Sequence, residues 1–392
     1  MVATSACWMR RLSRLRRALA RRPHHLMRAG RALGMVVGGV AGVAVAGTAY
    51  AVDLPEDRAD AMYHFYDGGG TRADGPALLI RKKVADRLSI SGSYFIDSVS
   101  NASIDVVTTA SPYKEKRTEY SLGADYVYRD AQVSVSGTTS DEPDYKANSF
   151  SVDVSQEVFG GMTTISLGAS RGSDQVGSRY EGMFDTAQHW RYRFGVTQIL
   201  TPRWLMSANL EAISDNGYLG NPYRVAQVFG TLVQERYPRT RSSRALKLRA
   251  VGDIGQGEQR AALRAEYRYF WDNWEIKAHT LELGYTRYFD AQWLGEAFVR
   301  YNTQKQALFY ADNAQSETRY VSRNKQLSDF NDVSLGAKAT YSAGKIADKF
   351  DVKWNAQYQF MRFRYKNFTD IRTGSLYSFD ANVLELFVSA TF

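Results

Sequence analysis

Charged residues recur at alternate positions in several segments between residues 188 and 302. Seven of them are basic and four are acidic, and an alternating strand would bring each group to one face. Such a charged wall can stabilise an anionic solute or an acidic segment of a partner. The charges could instead pair with one another and stiffen the interior, because a buried charge needs a partner. The eleven residues are Arg191, Arg193, Glu211, Lys247, Arg249, Arg264, Glu266, Arg268, Glu282, Glu296 and Arg300.

Other candidate chemistry is sparse. Beyond residue 51 the histidines are His64, His189 and His279, and none has the spacing of a metal-ligand pair. No GxSxG motif occurs, and no serine stands out as a nucleophile. His279 shares its parity with neighbouring leucines, which predicts an outward histidine hydrogen-bonded near a rim. We expect no catalytic residue, no cofactor and no metal, with a lipid hydrolase as a distant alternative.

Strands with period-two alternation must position these side chains. The pattern runs from Ala61 to Phe392, as where Phe150, Val152 and Val154 alternate with serines and an aspartate. Many segments have about ten residues, the length of a tilted transmembrane strand. In a bilayer every backbone polar group needs a partner, so strands of this kind must close into a barrel.

Sixteen segments carry the alternation, and an even number is what a single-chain bacterial barrel requires. The sequence therefore predicts an all-β fold: a single transmembrane antiparallel up-and-down β-barrel of about 16 strands. The segments are 60–67, 77–84, 88–98, 118–128, 131–140, 148–158, 162–171, 188–198, 203–213, 243–252, 260–271, 277–288, 293–302, 331–342, 349–361 and 380–392.

Short and long connections alternate between these segments. In barrels of this kind short turns face the periplasm and long loops face outward. We expect the segment 214–242 to fold over or into the barrel mouth, since long ordered loops tend to carry function. Phe392 ends the last strand and is predicted to be the signal read by the barrel assembly machinery. The predicted long links are 99–117, 172–187, 214–242, 303–330 and 362–379.

The N-terminal segment has the features of a cleaved signal peptide. Fourteen apolar residues, 34–47, follow an arginine-rich stretch, and Ala49 and Ala51 fit a small-residue cleavage site. This predicts a signal peptide over 1–51 and a barrel over 52–392, in the outer membrane of a Gram-negative bacterium. A start at Met27 would give a more compact signal, so translation of residues 1–26 stays open.

Composition excludes several classes of protein. The net charge of +9 comes from nine arginines within the first 51 residues, and the remainder is formally neutral, so nucleic acid is not an expected partner. A hydrophobic fraction of 44% argues against disorder. No run of eighteen apolar residues follows residue 51, which excludes a helical membrane protein. Cys7, the only cysteine, would leave with the signal.

Several strings of residues resemble a Gram-negative outer-membrane β-barrel family of unknown function, domain of unknown function family three-five-seven-zero. The resemblance implies an exported protein often encoded near a small lipoprotein, a thioredoxin-like protein and a flavin transferase. It supplies no activity and no catalytic residue. The strings are residues 63–70, 103–113, 117–120, 217–224, 237–241, 267–270 and 279–282.

The function predicted from the sequence is an outer-membrane channel or conduit completed by a periplasmic or lipoprotein partner. A plugged barrel that serves as a scaffold or assembly component is the main alternative. Expected partners are outer-membrane lipid and lipopolysaccharide, the barrel assembly machinery, and a small lipoprotein or a periplasmic redox protein. The sequence indicates neither the solute nor the oligomeric state.

Overall fold

A computed structural model describes residues 53–101, 113–178, 180–257 and 259–392. The predicted signal peptide, with Ala49, Ala51 and the alternative start Met27, lies outside the described residues. Most of the string 103–113 also lies outside them.

Sixteen long strands form one closed antiparallel barrel, which confirms the predicted class and strand number. Sequence neighbours pair with each other around the ring, β1 closes on β18, and β9 pairs with β12. The barrel strands are β1 (Arg58–Gly68), β2 (Thr71–Ala85), β3 (Leu88–Asn101), β4 (Tyr113–Tyr128), β5 (Ala131–Glu142), β6 (Tyr145–Val158), β7 (Thr163–Ser178), β8 (Gly182–Thr201), β9 (Trp204–Gly217), β12 (Thr240–Asp253), β13 (Ala261–Asp272), β14 (Lys277–Tyr288), β15 (Trp293–Gln304), β16 (Phe330–Ile346), β17 (Phe350–Asp370) and β18 (Ser375–Thr391).

Two further strands and one short helix lie in the long connections. Strands β10 (Val225–Val228) and β11 (Thr231–Gln234) pair as a separate hairpin in the link between β9 and β12. A single 3₁₀ turn, Lys325–Leu327, lies in the link between β15 and β16. Within the described residues, no helix is both long enough and apolar enough to cross a membrane.

The barrel has an apolar exterior, the reverse of a water-soluble protein. The outward-facing Leu122 and Ile80 are 72% and 61% exposed. The inward-facing Ser89 and Ser334 are fully buried. The alternation seen in the sequence thus separates a lipid-facing surface from the lumen. A closed barrel with such a surface is the architecture of an outer-membrane protein.

The two ends of the barrel differ in their connections. At the short-turn end, adjacent strands join through tight turns such as residues 86–87 and 129–130. The start of β1 and the end of β18 meet there, because the Phe392 N–H donates to the Asp57 carbonyl at 3.1 Å. The long-loop end carries the segments 218–239 and 305–329.

Two of the predicted long links are wrong. In place of 172–187, β7 continues to Ser178 and β8 begins at Gly182. In place of 362–379, β17 runs to Asp370 and β18 begins at Ser375. The outward positions of these strand ends are polar, as at Ser173 and Gln175 on β7 and at Arg362 and Arg364 on β17, so the ladder continues where the apolar outer face stops, as expected for strands that extend beyond the lipid.

Candidate functional site

The eleven residues of the predicted charged wall lie on the lumen side of their strands. On each strand these residues alternate with exposed apolar residues, such as Leu248 on β12 and Tyr267 on β13. They lie on β8, β9 and β12–β15, which follow one another in the ring. The barrel therefore brings together residues that are up to 109 positions apart in sequence, from Arg191 to Arg300.

Arg264 lies at the centre of an ion-pair network on three strands. From β13 it pairs with Glu282 on β14, and its Nη2 also contacts Glu296 Oε1 on β15 at 3.0 Å. The other oxygen of Glu282 accepts a hydrogen bond from Arg300 Nε at 2.8 Å. The side chains of Arg264, Glu282 and Glu296 are 14%, 11% and 10% exposed. Charges this buried are stabilised by one another, as the self-paired alternative requires.

Two arginines of the charged wall cross an intervening strand above a glycine. Arg264 passes over Gly284 of β14, where an added Cβ would lie 2.9 Å from its Nη2. Arg193 passes over Gly168 of β7, where an added Cβ would lie 2.8 Å from its Nε. Arg193 then donates to both carboxylate oxygens of Asp153 on β6, each at 2.9 Å. Neighbouring strands are about 4.8 Å apart, so a bridge across two of them needs an unobstructed path.

Diagonal neighbours on adjacent strands supply two more pairs. Arg191 Nε lies 3.0 Å from Glu211 Oε1, and Lys247 Nζ lies 2.7 Å from Glu266 Oε1. These pairs are more exposed than the Arg264 network, with arginine and lysine side chains 50% and 39% exposed. Exposed ion pairs of this kind are weaker than buried ones because solvent screens them.

The remaining basic residues differ in their surroundings. Arg249 is buried, and its partners in the strand register are Ser207 and Glu266. Arg268 has no ion pair in the part of the chain that the structure describes, and its guanidinium lies 5.4 Å from the centroid of Phe270. The eleven residues keep a formal excess of three positive charges.

Lys338 on β16 also belongs to this region but was not among the predicted residues. It is buried, it faces Glu296 in the register, and its Nζ lies 4.9 Å from the ring of Phe387. Its parity within the alternating segment 331–342 was the available signal. The charged wall therefore extends one strand further than predicted.

The opposite side of the lumen, on β3–β7, carries short polar side chains and is termed here the small-residue wall. Hydroxyl groups bond between adjacent strands, as in Ser121–Thr138 and Ser136–Ser151, both at 2.8 Å. Larger side chains cross this wall at two places, where Arg193 reaches Asp153 above Gly168 and where Arg81 lies 3.6 Å from Asp125. The wall consists of Ser89, Ser91, Ser93, Ser121, Gly123, Ser134, Ser136, Thr138, Ser149, Ser151, Ser166, Gly168 and Ser170.

The three histidines have hydrogen-bond partners that explain them without catalysis. Two lie against lumen carboxylates, and the third lies on the outer face against a tyrosine. No serine is a partner of any of them among the hydrogen bonds of the described residues. The pairs are His64–Asp97 at 3.2 Å, His189–Asp174 at 3.0 Å, His189–Asp215 at 2.8 Å and His279–Tyr267 at 2.7 Å.

The segments 218–239 and 305–329 pack together over the long-loop end and are called the cap. Their backbones join where the Arg236 N–H and the Val321 N–H donate to each other's carbonyl at 2.9 and 3.0 Å. The β10–β11 hairpin adds a second junction, because the Ala314 N–H donates to the Gln227 carbonyl at 2.8 Å. Ala226, Val228, Ala314 and Val321 form a small apolar core between the two segments.

The cap is fastened to nearly opposite sides of the barrel. On one side the Tyr223 hydroxyl donates to Asp144 in the turn between β5 and β6. On the other side the Tyr310 hydroxyl donates to the Asn367 carbonyl on β17 at 2.9 Å. These two rim positions are about half the strand ring apart. The cap therefore crosses the mouth.

An aromatic cluster holds the cap on the β13–β18 side. Phe368 is fully buried there beside Trp274 and Tyr310. The ring of Tyr237 lies 5.8 Å from that of Trp274 in an edge-to-face arrangement. Trp274 Nε1 donates to the Thr240 carbonyl at 3.0 Å, so its polar atom is satisfied.

One carboxylate is buried at the junction of the cap segments. Glu235 accepts hydrogen bonds from Ser322 Oγ and from the Arg323 N–H, both at 2.8 Å. Tyr237 Oη lies 3.2 Å from its second oxygen. Burial raises the pKa of Glu235 above its usual range, although these hydrogen bonds oppose the shift. The hydrogen bonds of Glu235 therefore join the two cap segments, and burying its charge costs electrostatic free energy.

The sequence matches the model of a protein family described as "Protein of unknown function (DUF3570)" over residues 27–184 and 178–374. The chain belongs to the DUF3570 family. No functionally curated protein matches it.

Several solved outer-membrane proteins resemble this DUF3570 barrel. CdiB from Acinetobacter baumannii has a TM-score of 0.48 and 9% identity, over 84% of this chain and 60% of CdiB. A bacterial polysaccharide outer membrane secretin has a TM-score of 0.48 and 7% identity, over 86% and 99%. A Pseudomonas aeruginosa FadL homologue has a TM-score of 0.40 and 12% identity, over 86% and 90%. These similarities carry no information on the solute or partner of the DUF3570 protein.

Sequence reasoning missed the internal structure of the cap. The hairpin strands have four residues each, too short to show alternation. Val228 of the hairpin pairs with Ala314, and Arg236, just after the hairpin, pairs with Val321, in each case more than 80 residues further along the chain. Arginine and tyrosine enrichment in 214–242 was the only available signal, and it indicated an ordered loop without its contacts.

Proposed function

We propose that this DUF3570 protein is an outer-membrane channel for small polar solutes, with a preference for anions, that is closed by the cap. The short-turn end faces the periplasm and the long-loop end faces outward, as in other barrels with unequal connections. The proposal includes a periplasmic or lipoprotein partner that completes the conduit, as the family resemblance suggests.

The observation that carries the proposal is the small-residue wall. A barrel of sixteen strands is wide enough for an aqueous channel unless bulky groups fill it. In the middle of β3–β7 the inward side chains are largely serine, threonine and glycine, interrupted by Asp125 and Asp153, and these short side chains favour space beside the charged wall. A barrel built only as a rigid scaffold would gain packing energy from larger side chains on this side.

The charged wall supports the anion preference. Most of its cations pair with carboxylates, and when Lys338 and Asp153, the partner of Arg193, are counted with the eleven residues, the wall keeps a local excess of three positive charges. A positive lumen concentrates anions at its mouths, and the effect falls with ionic strength.

Planar-bilayer recording under a salt gradient tests this proposal. The wild type should show current with a reversal potential that favours anions. Arg193→Glu combined with Arg249→Glu should move that potential toward cations. Arg171→Glu is a matched control, because Arg171 lies on the outer face, 5.1 Å from the ring of Trp190, and should leave the potential unchanged. If the wild type conducts and the variant with both lumen substitutions has the same reversal potential, the charged-wall proposal is contradicted.

A plugged scaffold is the second candidate, and the cap favours it because it crosses the mouth. Deleting the hairpin 225–234 separates the two candidates. The channel proposal predicts a larger current for this variant than for the wild type. A correctly folded variant without current would support the scaffold.

A further inference from the structure

The short-turn end carries cations seated on aromatic rings at the lipid-facing edge of the barrel. The guanidinium carbons of Arg87 and Arg129 lie 5.4 and 5.3 Å from the centroid of the Tyr128 ring. That ring is 47% exposed and has the outward parity of β4. Backbone bonding fixes the turn, since the Val127 N–H donates to the Arg87 carbonyl at 2.9 Å.

Two similar sites lie elsewhere on the same rim. Arg287 lies 5.9 Å from the ring of Phe289, which is 70% exposed. Lys349 lies 5.3 Å from the ring of Phe350 and 5.9 Å from that of Phe392. Phe350 has the outward parity of β17, and Phe289 and Phe392, each one residue past the end of β14 or β18, continue the outward parity of those strands. The three sites are spread around the barrel, at β2–β5, β14–β15 and β16–β18.

These four cations have no carboxylate partner within the described ranges. Cations at the long-loop end are different, because many of them are neutralised. Arg239 binds Asp185 with two hydrogen bonds of 2.7 and 2.8 Å, and Arg362 binds Asp380 with two of 2.7 Å. At the short-turn rim Lys82 is also neutralised, by Asp57 at 2.9 Å, so the four cations differ from paired residues at either rim in keeping an uncompensated charge.

A cation that lies on an aromatic ring keeps its hydrogen-bond donors free. The ring attracts the face of a guanidinium, while its N–H groups stay available at the edge. Phosphate is the acceptor that best fits such a fork, and it gives charge-assisted hydrogen bonds. The neighbouring exposed ring, at the same depth, would lie beside the acyl chains and glycerol of a lipid.

We propose that the cations seated on aromatic rings at the short-turn rim form binding sites for the phosphate of anionic glycerophospholipids in the periplasmic leaflet. The strongest site is Arg87 with Arg129 on Tyr128, because two guanidinium groups share one ring. The leaflet assignment rests on the orientation given under the proposed function. Lipid binding does not depend on conduction, so the two proposals fail separately.

Native mass spectrometry of the detergent-purified barrel tests the lipid site, with phosphatidylglycerol and phosphatidylcholine as probes. The wild type should retain phosphatidylglycerol more strongly. Arg87→Gln with Arg129→Gln should weaken that retention by about fivefold for each lost cation, the usual effect of one basic residue near an anionic membrane. Tyr128→Leu should weaken it less, because both cations remain.

Arg260→Gln is the matched control. Arg260 also lies on an aromatic ring, 5.2 Å from that of Tyr288, but Tyr288 has the lumen-facing parity of β14. This variant should retain phosphatidylglycerol like the wild type, and all variants should show the heat-modifiable band of a folded barrel.

Four results would overturn the proposal. Equal retention of the two lipids would remove the charge preference, and unchanged retention by the double variant would remove the site. Stronger retention of lipid A than of phosphatidylglycerol, or displacement of the lipid by inorganic phosphate alone, would assign the cations to a different source of phosphate.

Discussion

The barrel wall and the cap are stabilised by different interactions. In the wall, ladder hydrogen bonds are reinforced by ion pairs such as Arg264–Glu282 and by hydroxyl pairs such as Ser136–Ser151. In the cap, two long segments are joined by apolar cores and by a few backbone bonds across the mouth. The cap has no continuous ladder with the barrel strands.

This difference suggests that the two regions can come apart independently. Opening the barrel would break a closed hydrogen-bonded ring in lipid, where each unsatisfied backbone group costs several kcal/mol. Separating the cap segments would expose mainly two small apolar cores to water. The cap is therefore the part that can open while the barrel stays folded.

The largest expected effect is on the wall. Arg264→Met would leave Glu282 and Glu296 buried without their main partner. Removing one member of a buried ion pair costs about 3–5 kcal/mol, so the barrel should unfold at markedly lower denaturant concentration. Arg171→Met on the outer face is the control and should change little. Equal stability of the two variants would show that the ion-pair network does not stabilise the wall.

A cavity in the aromatic cluster that joins β17 to the cap should lower the stability of the cap and leave that of the barrel unchanged. Phe368→Ala removes a fully buried ring from the aromatic cluster and should destabilise the cap by about 3 kcal/mol. We expect faster hydrogen exchange in 218–239 and 305–329 and unchanged heat-modifiability of the barrel. Phe159→Ala is the control, because that ring is exposed at the short-turn end. Parallel loss of barrel stability would contradict independent opening.

A smaller effect is expected where an arginine crosses a strand. Gly284→Val would place a side chain against Arg264 Nη2 and should destabilise the wall by about 1–3 kcal/mol, as overpacking does. Gly137→Val is the matched control, since an added Cβ there would have no neighbour closer than 4.0 Å. Urea unfolding of both variants measures the difference. Similar costs would mean that the path over Gly284 is not needed.

The smallest expected effect is the pH dependence of the cap. Burial raises the pKa of Glu235 above its ordinary value of 4.5 in the folded cap. The folded cap then binds a proton more tightly than the open one, so its stability should fall as pH rises from about 4.5 through the raised pKa. Proteolysis of the cap measured against pH should show this trend. Glu235→Gln should abolish it, and an unchanged pH dependence would exclude Glu235 as its source.

Sequence alone identified the barrel because one rule repeats along it. Lipid outside and polar lumen inside force alternation on every strand, as at Leu122 and Ser121, and all sixteen predicted segments overlap barrel strands. The ends of β7, β8, β17 and β18 were missed because they extend beyond the lipid, where outward positions such as Gln175 and Arg364 are polar and inward positions such as Tyr365 pack under the cap, so the rule no longer applies.

The charged wall and the cap show where sequence reasoning stops. Parity predicts that Arg193 and Arg264 share a face, but their partners depend on the register and on Gly168 and Gly284 between them. The cap junction joins Arg236 to Val321, residues that share no local pattern. Contacts between distant segments of this kind require the folded structure.

A reversible crosslink across the cap tests directly whether the cap closes the lumen. Arg236→Cys with Val321→Cys would link the two cap segments at their backbone junction, and the only natural cysteine, Cys7, lies in the predicted signal peptide. Val225→Cys with Gln234→Cys is the matched control, because it links two residues within the β10–β11 hairpin. Single-channel recording should show a closed protein after oxidation and restored current after reduction, for the cap crosslink alone. Current that is unaffected by the oxidised cap crosslink would contradict closure of the lumen by the cap.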